Sequence, residues 1–138
     1  MPTDLLTALS ADVIDRGERP LLPESLRAMQ GDIIVALSEA SFISFAMRWP
    51  EQNKALVAIR SERVYPMMLP NVARNVIAHE FGHALGLGHN NDPAMLMCGR
   101  PAPCRPALFR SASEHYFPLT AEEKALLLQF YPADWRQG

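Results

Sequence analysis

His79 and His83 stand four residues apart within His79-Glu80-Phe81-Gly82-His83-Ala84-Leu85-Gly86-Leu87-Gly88-His89, and no other stretch constrains the chain as much. On a helix, residues i and i+4 share a face, so both imidazoles project the same way. Two parallel imidazoles can take two corners of a tetrahedral zinc site. Glu80 then lies beside the metal without binding it, where a general base for an attacking water belongs. Gly86 follows His83 by three residues and suits the left-handed turn that ends a helix and swings the chain back. His89 would return from that turn as a third nitrogen ligand. Three histidines leave one position open, which is a catalytic design; structural zinc sites are normally closed by four protein ligands.

HExxH alone is a modest signal, but HExxHxxGxxH fixes five positions across eleven residues. It is the metzincin signature, completed by a methionine-bearing turn beneath the metal. The local wording, followed by Asn90-Asn91-Asp92-Pro93-Ala94-Met95-Leu96-Met97, resembles the matrixin (matrix metalloprotease) family. In the matrixin pattern a proline follows the third histidine by four residues and the Met-turn methionine comes four later. Pro93 and Met97 match those places, so the resemblance makes Met97, rather than Met95, the Met-turn residue. Leu119-Thr120-Ala121-Glu122-Glu123, with Leu126, Leu127, Phe130 and Tyr131 after it, resembles the matrixin C-terminal helix, where Leu-Ser-x-Asp-Asp is usual. The resemblance covers residues 71–97 and 119–131.

What it implies is an α+β, zincin-like (metzincin) fold: a small twisted mixed sheet with an active-site helix and a C-terminal helix. Residues 1–138 would form one such domain. One zinc ion per chain is expected on His79, His83 and His89, with Met97 supporting the cage without coordinating. The implied activity is a zinc-dependent endopeptidase in which Glu80 assists a zinc-bound water, and the implied partner is a peptide or protein substrate. Two rival readings are a zinc amidase or aminopeptidase on small amides and a catalytically silent, zinc-stabilised binding module. An intact Glu80 speaks against the second. The second, structural zinc of many matrixins needs several histidines, and only His115 remains; it reads as a surface residue. No alternating acidic run resembles a calcium loop. Some metzincins carry a tyrosine two residues after the Met-turn methionine, but here Gly99 occupies that place.

A chain of 138 residues with 49% apolar residues is large enough for one real core. The net charge of -2 gives no electrostatic case for nucleic acid or an anionic membrane. The first residues lack a basic region followed by an apolar one, so a cytoplasmic location is expected if Met1 is the native start, and a secreted or periplasmic one if a leader was removed. Monomer is the default expectation. Cys98 and Cys104 are expected to be free thiols or paired with each other, and not zinc ligands.

In chain order, residues 3–16 read as a helix with Leu5, Leu9 and Val13 on one stripe. Matrixins place a strand before their first long helix, and there is no room for one here, implying a shortened sheet or a truncated chain. Residues 21–30 read as a short strand or turn. Residues 32–37 read as a central strand, apolar on both faces. Residues 42–48 and 55–60 are further strands, the latter nominated as the edge that pairs with substrate. Asn71 reads as an N-cap for the next helix, with Ala73, Ile77, Phe81 and Leu85 as its core stripe and Val72, Val76, His79 and His83 on the adjacent stripe facing a cleft. Five prolines between positions 93 and 118 argue against regular structure there. By the matrixin plan residues 98–118, after the Met-turn, wall the pocket just past the scissile bond. Leu108, Phe109, Tyr116 and Phe117 either make that pocket apolar or fold inward and anchor the loop to the core; the first is favoured, so cleavage is expected before Leu, Ile, Met or Phe. Thr120 and Glu123 form a capping box for the last helix.

Overall fold

The computed structural model describes residues 3–15, 17, 19–61, 63, 65–99, 102–104 and 114–136. Three strands, β1 (Ile33–Ser38), β2 (Phe45–Trp49) and β3 (Lys54–Arg60), form a mixed sheet in the order β1-β3-β2. β1 runs parallel to β3, with Ile33 opposite Ala55, and β2 runs antiparallel to it, with Phe45 opposite Ala58. The short turn over Pro50–Gln52 joins β2 to β3 through Asn53, whose φ of 50° is left-handed, a conformation asparagine tolerates.

The central strand is β3, with residues 55–59 all buried. This corrects two expectations. Residues 32–37 were expected at the centre, yet β1 is an edge strand whose Val35 and Leu37 face solvent. Residues 55–60 were expected to be the substrate-pairing edge, yet β3 has a strand on either side and no edge to offer. Both strands are continuous apolar runs, and composition alone does not say which is covered on both faces.

Alternation along β3 divides the core into two layers. Leu56 and Ala58 face one cluster with Leu6 and Leu9 of α1 (Thr3–Ser10), Leu26 of α2 (Glu24–Arg27), and Phe45, Met47 and Trp49 of β2. Ala55, Val57 and Ile59 face the other, packing on Val72 and Ala84 of α3 (Pro70–Ala84), with Met67 and Phe117. Residues 21–30, expected to be a strand or turn, contain α2, because Leu26 needs only one helical turn to reach the first cluster. α1 continues into a wider turn over Ala11–Asp15.

α3 starts two residues earlier than expected. Leu69 is the cap and Pro70 takes the first helical position, where a missing N–H costs nothing. Asn71 is therefore inside the helix and buried. Its Oδ1 accepts the His115 N–H, while Asn75 Oδ1 accepts the Phe117 N–H and Asn75 Nδ2 donates to the His115 and Asn71 carbonyls. Of the expected core stripe, Ala73 and Phe81 are half-buried and pack on the second cluster, but Ile77 is exposed, and the most buried positions are Val72, Asn75, His79 and Gly82. Two asparagines one turn apart thus hold residues 115–117 against α3. Asn75→Leu would strand the amide and carbonyl that Asn75 now satisfies, at about 1–3 kcal/mol per unsatisfied group. Chemical denaturation should show a clearly lowered midpoint. An unchanged midpoint would mean that residues 115–117 are anchored by other contacts.

α4 (Ala121–Phe130) begins with the expected capping box, Thr120 accepting from Glu123 N–H and Glu123 accepting from Thr120 N–H. Its Leu127 and the following Tyr131 are half-buried, whereas Leu126 and Phe130 are exposed. No helix among the described residues is long and apolar enough to cross a membrane.

Candidate metal centre

α3 delivers His79 and His83 to one face, and its end is made by a Schellman turn. The Gly86 N–H donates to the His83 carbonyl and the Leu87 N–H to the Gly82 carbonyl, with Gly86 at φ 111°. A side chain at Gly86 would be strained in that conformation. The turn reverses the chain and brings His89 back to the two helical histidines.

The three Nε2 atoms converge. They stand 3.1 Å apart for His79 and His83, 3.0 Å for His83 and His89, and 3.3 Å for His79 and His89. Ligands at about 2.0–2.1 Å around a tetrahedral zinc would stand about 3.3–3.4 Å apart, close to this spacing. The tautomers agree with a metal as well. His79 Nδ1 lies 2.7 Å from the Leu96 carbonyl and His83 Nδ1 2.8 Å from the Leu87 carbonyl. A carbonyl only accepts, so both Nδ1 atoms carry the proton and both Nε2 lone pairs point inward. Two inward lone pairs at this distance repel unless a cation lies between them. Burial lowers the His83 pKa, the bond to Leu87 partly opposes this, and the neighbouring His89 adds to the lowering. Neutral imidazole is the form that binds metal. The donor set fits a metal ion.

Residues 44–107 match the matrixin family model. No solved structure matches the chain. The match spans β2, β3, α3 and the triad, and it supports a matrixin-like metalloprotease domain. Together with three histidines able to hold a metal, it points to a metallopeptidase acting on peptides or proteins.

The structure also places the other residues singled out in the sequence. Glu80 is buried and lines the same cavity of about 550 Å³ as the three histidines. Met97 is fully buried beneath α3, so close that a Cβ at Gly82 would come within 2.5 Å of its sulfur. Cys98 and Cys104 are joined by a disulfide, one of the two states expected of them. Tyr116 is exposed and accepts from Arg74 Nη1, which also pairs with Glu114. Phe117 is buried in the α3 layer, so it anchors its segment to the core instead of lining a pocket. Leu108 and Phe109 lie outside the described residues. His115 is half-buried and stacks edge-on against Phe117 at 4.5 Å, not on the open surface.

Four features of the site were not anticipated. β2, not β3, is the sheet edge along the cavity, and Arg48 projects from it. Asn90, next to His89, ties the returning chain down: its N–H donates to the Met97 carbonyl, its carbonyl accepts from Gly99, and its Nδ2 donates to Glu123 Oε2. Gly99 lies directly against the His89 ring. Tyr131 donates its hydroxyl to the Leu85 carbonyl, clamping the end of α3 from α4. The alternation Phe45, Met47, Trp49 was a usable signal for β2, because it puts Ala46 and Arg48 on the opposite face.

Proposed function

We propose that this chain is a zinc-dependent endopeptidase of metzincin type, acting as a single domain over residues 1–138. The observation that carries the proposal is the triad itself, with Nδ1 of His79 and His83 held by carbonyls, the three Nε2 atoms converging and buried Glu80 in the same cavity. His79, His83 and His89 would hold zinc. Bound there, zinc supplies a Lewis acid for the scissile carbonyl and lowers the pKa of water from about 15.7 toward about 7.

The chain's own residues do the rest. Glu80 takes a proton from the attacking water as it adds to the carbonyl carbon, then passes that proton to the leaving amine nitrogen. Gly86 turns the chain so that His89 completes the triad, and Met97 packs below as the Met-turn residue without coordinating. The substrate lies extended along β2, adding a strand to the sheet and holding the scissile bond over the triad by backbone hydrogen bonds. A site that grips backbone along a strand suits a polypeptide better than a small amide.

Elemental analysis after zinc loading should find one zinc per chain. A mixed peptide library should be cleaved by the loaded protein and spared when a chelator is added. Two zincs, none, or cleavage that persists in chelator would overturn the proposal.

A further inference from the structure

Arg48 sits in the cleft with no evident structural reason for its charge. Phe45, Met47 and Trp49 turn into the layer shared with α1, so Ala46 and Arg48 face the α3 side. There Arg48 lines the same cavity as His79, Glu80, His83 and His89. Its Nη1 reaches the turn that ends α3, 3.0 Å from where a Cβ on Gly86 would stand. Among the described residues, no carboxylate or carbonyl pairs with its guanidinium; only its backbone carbonyl is engaged, by Arg19 Nη1 at 3.4 Å.

An arginine at a helix C-terminus is commonly explained by the carbonyls that end there. Four of them already have donors. Phe81 O accepts from Leu85, Gly82 O from Leu87, His83 O from Gly86, and Leu85 O from Tyr131. A half-buried guanidinium that opens into this cavity, with its donors unpaired by protein groups among the described residues, can donate to an anion bound there.

Building on the peptidase reading, we propose that Arg48 is a specificity residue that selects peptides with an acidic side chain on one side of the scissile bond. A planar guanidinium matches a carboxylate with two parallel hydrogen bonds. The side follows from the topology. Arg48 lies at the Gly86 end of α3, whereas residues 114–117 are fixed near its start by Asn71, Arg74 and Asn75. The acidic side chain therefore binds away from any pocket that residues 114–117 help to wall. In a peptide paired antiparallel to β2, residues before the scissile bond lie toward the C-terminal end of the strand, where Arg48 stands. Aspartate or glutamate is thus selected before the cleaved bond, and the apolar preference expected just after it is a separate matter.

The test uses the zinc-loaded full chain and a peptide library randomised before the scissile bond, followed by matched peptides differing only as Glu, Gln or Lys at the selected position. Their affinities are also measured on zinc-loaded Glu80→Gln, which reads binding without turnover. The parent chain should favour the Glu peptide over the Gln peptide by about tenfold or more in kcat/KM, as one charge-assisted pairing would give. Arg48→Met should bring that ratio close to one, and Arg48→Glu should reverse it toward the Lys peptide. A purely structural arginine would not produce a reversal. Equal treatment of Glu and Gln by the parent, or a preference that survives Arg48→Met, overturns the proposal and leaves the peptidase reading standing. If the peptides are neither cut by the parent nor bound by the Glu80→Gln form, the peptidase reading falls and this proposal falls with it.

Discussion

Glu80→Gln is expected to keep its zinc and its fold and to lose at least about 10²–10⁴-fold in turnover, the usual contribution of a general base. The amide has nearly the shape of the carboxylate, so the cavity around the 8% exposed side chain should repack little. What it lacks is a basic oxygen. Water could still reach the site but would have no group to take its proton, and the leaving amine would receive none. The measurement is kcat on a library-derived peptide, with metal content and denaturation midpoint taken on the same sample. A rate within a few-fold of the parent would place the base elsewhere. Loss of zinc along with the rate would instead mean that Glu80 helps hold the metal, and the division of labour with the histidines would have to be redrawn.

The geometry of this site was legible because it is local. His79, Glu80, His83 and Gly86 act within one helix and the turn that ends it, so spacing alone sets their geometry. Only His89 must return through the turn, and the turn residue is itself in the motif. The capping box of Thr120 and Glu123 is legible for the same reason.

What was misread depends on contacts distant in sequence. β1 and β3 are both short apolar runs, and which is central depends on where β2 docks. The side of α3 that is buried depends on residues 115–117, some 40 positions away, and the buried asparagines resemble surface or capping residues until those partners are known. Arg48 is an intermediate case. The period-2 pattern around it gives its face, but nothing local says that this face meets the triad.

Gly99→Ala should release zinc more readily than any other single-methyl change in the chain. A Cβ at Gly99 would overlap the His89 ring, and one of the two must move. The backbone at Gly99 has little freedom. Its N–H donates to the Asn90 carbonyl at 3.2 Å, the preceding Cys98 is bridged to Cys104, and Asn90 is itself held by the Met97 carbonyl and by Glu123 on α4. His89 is solvent-exposed, so its ring has room to swing out, and doing so takes its Nε2 away from His79 and His83. Zinc affinity should fall by about 10–100-fold, the range seen when a ligand's orienting surroundings are disturbed. Metal-free stability should change little, because Gly99 belongs to neither apolar cluster and its φ is not in the left-handed region. Gly88→Ala is the matched control: it also lies beside His89 in sequence, yet a Cβ there meets nothing within 4 Å. Competition against a chromophoric chelator gives the affinities of all three proteins. Equal zinc binding by the parent and Gly99→Ala would show that the loop yields and the imidazole does not. In that case the tight approach at Gly99 would have no role in holding the third ligand.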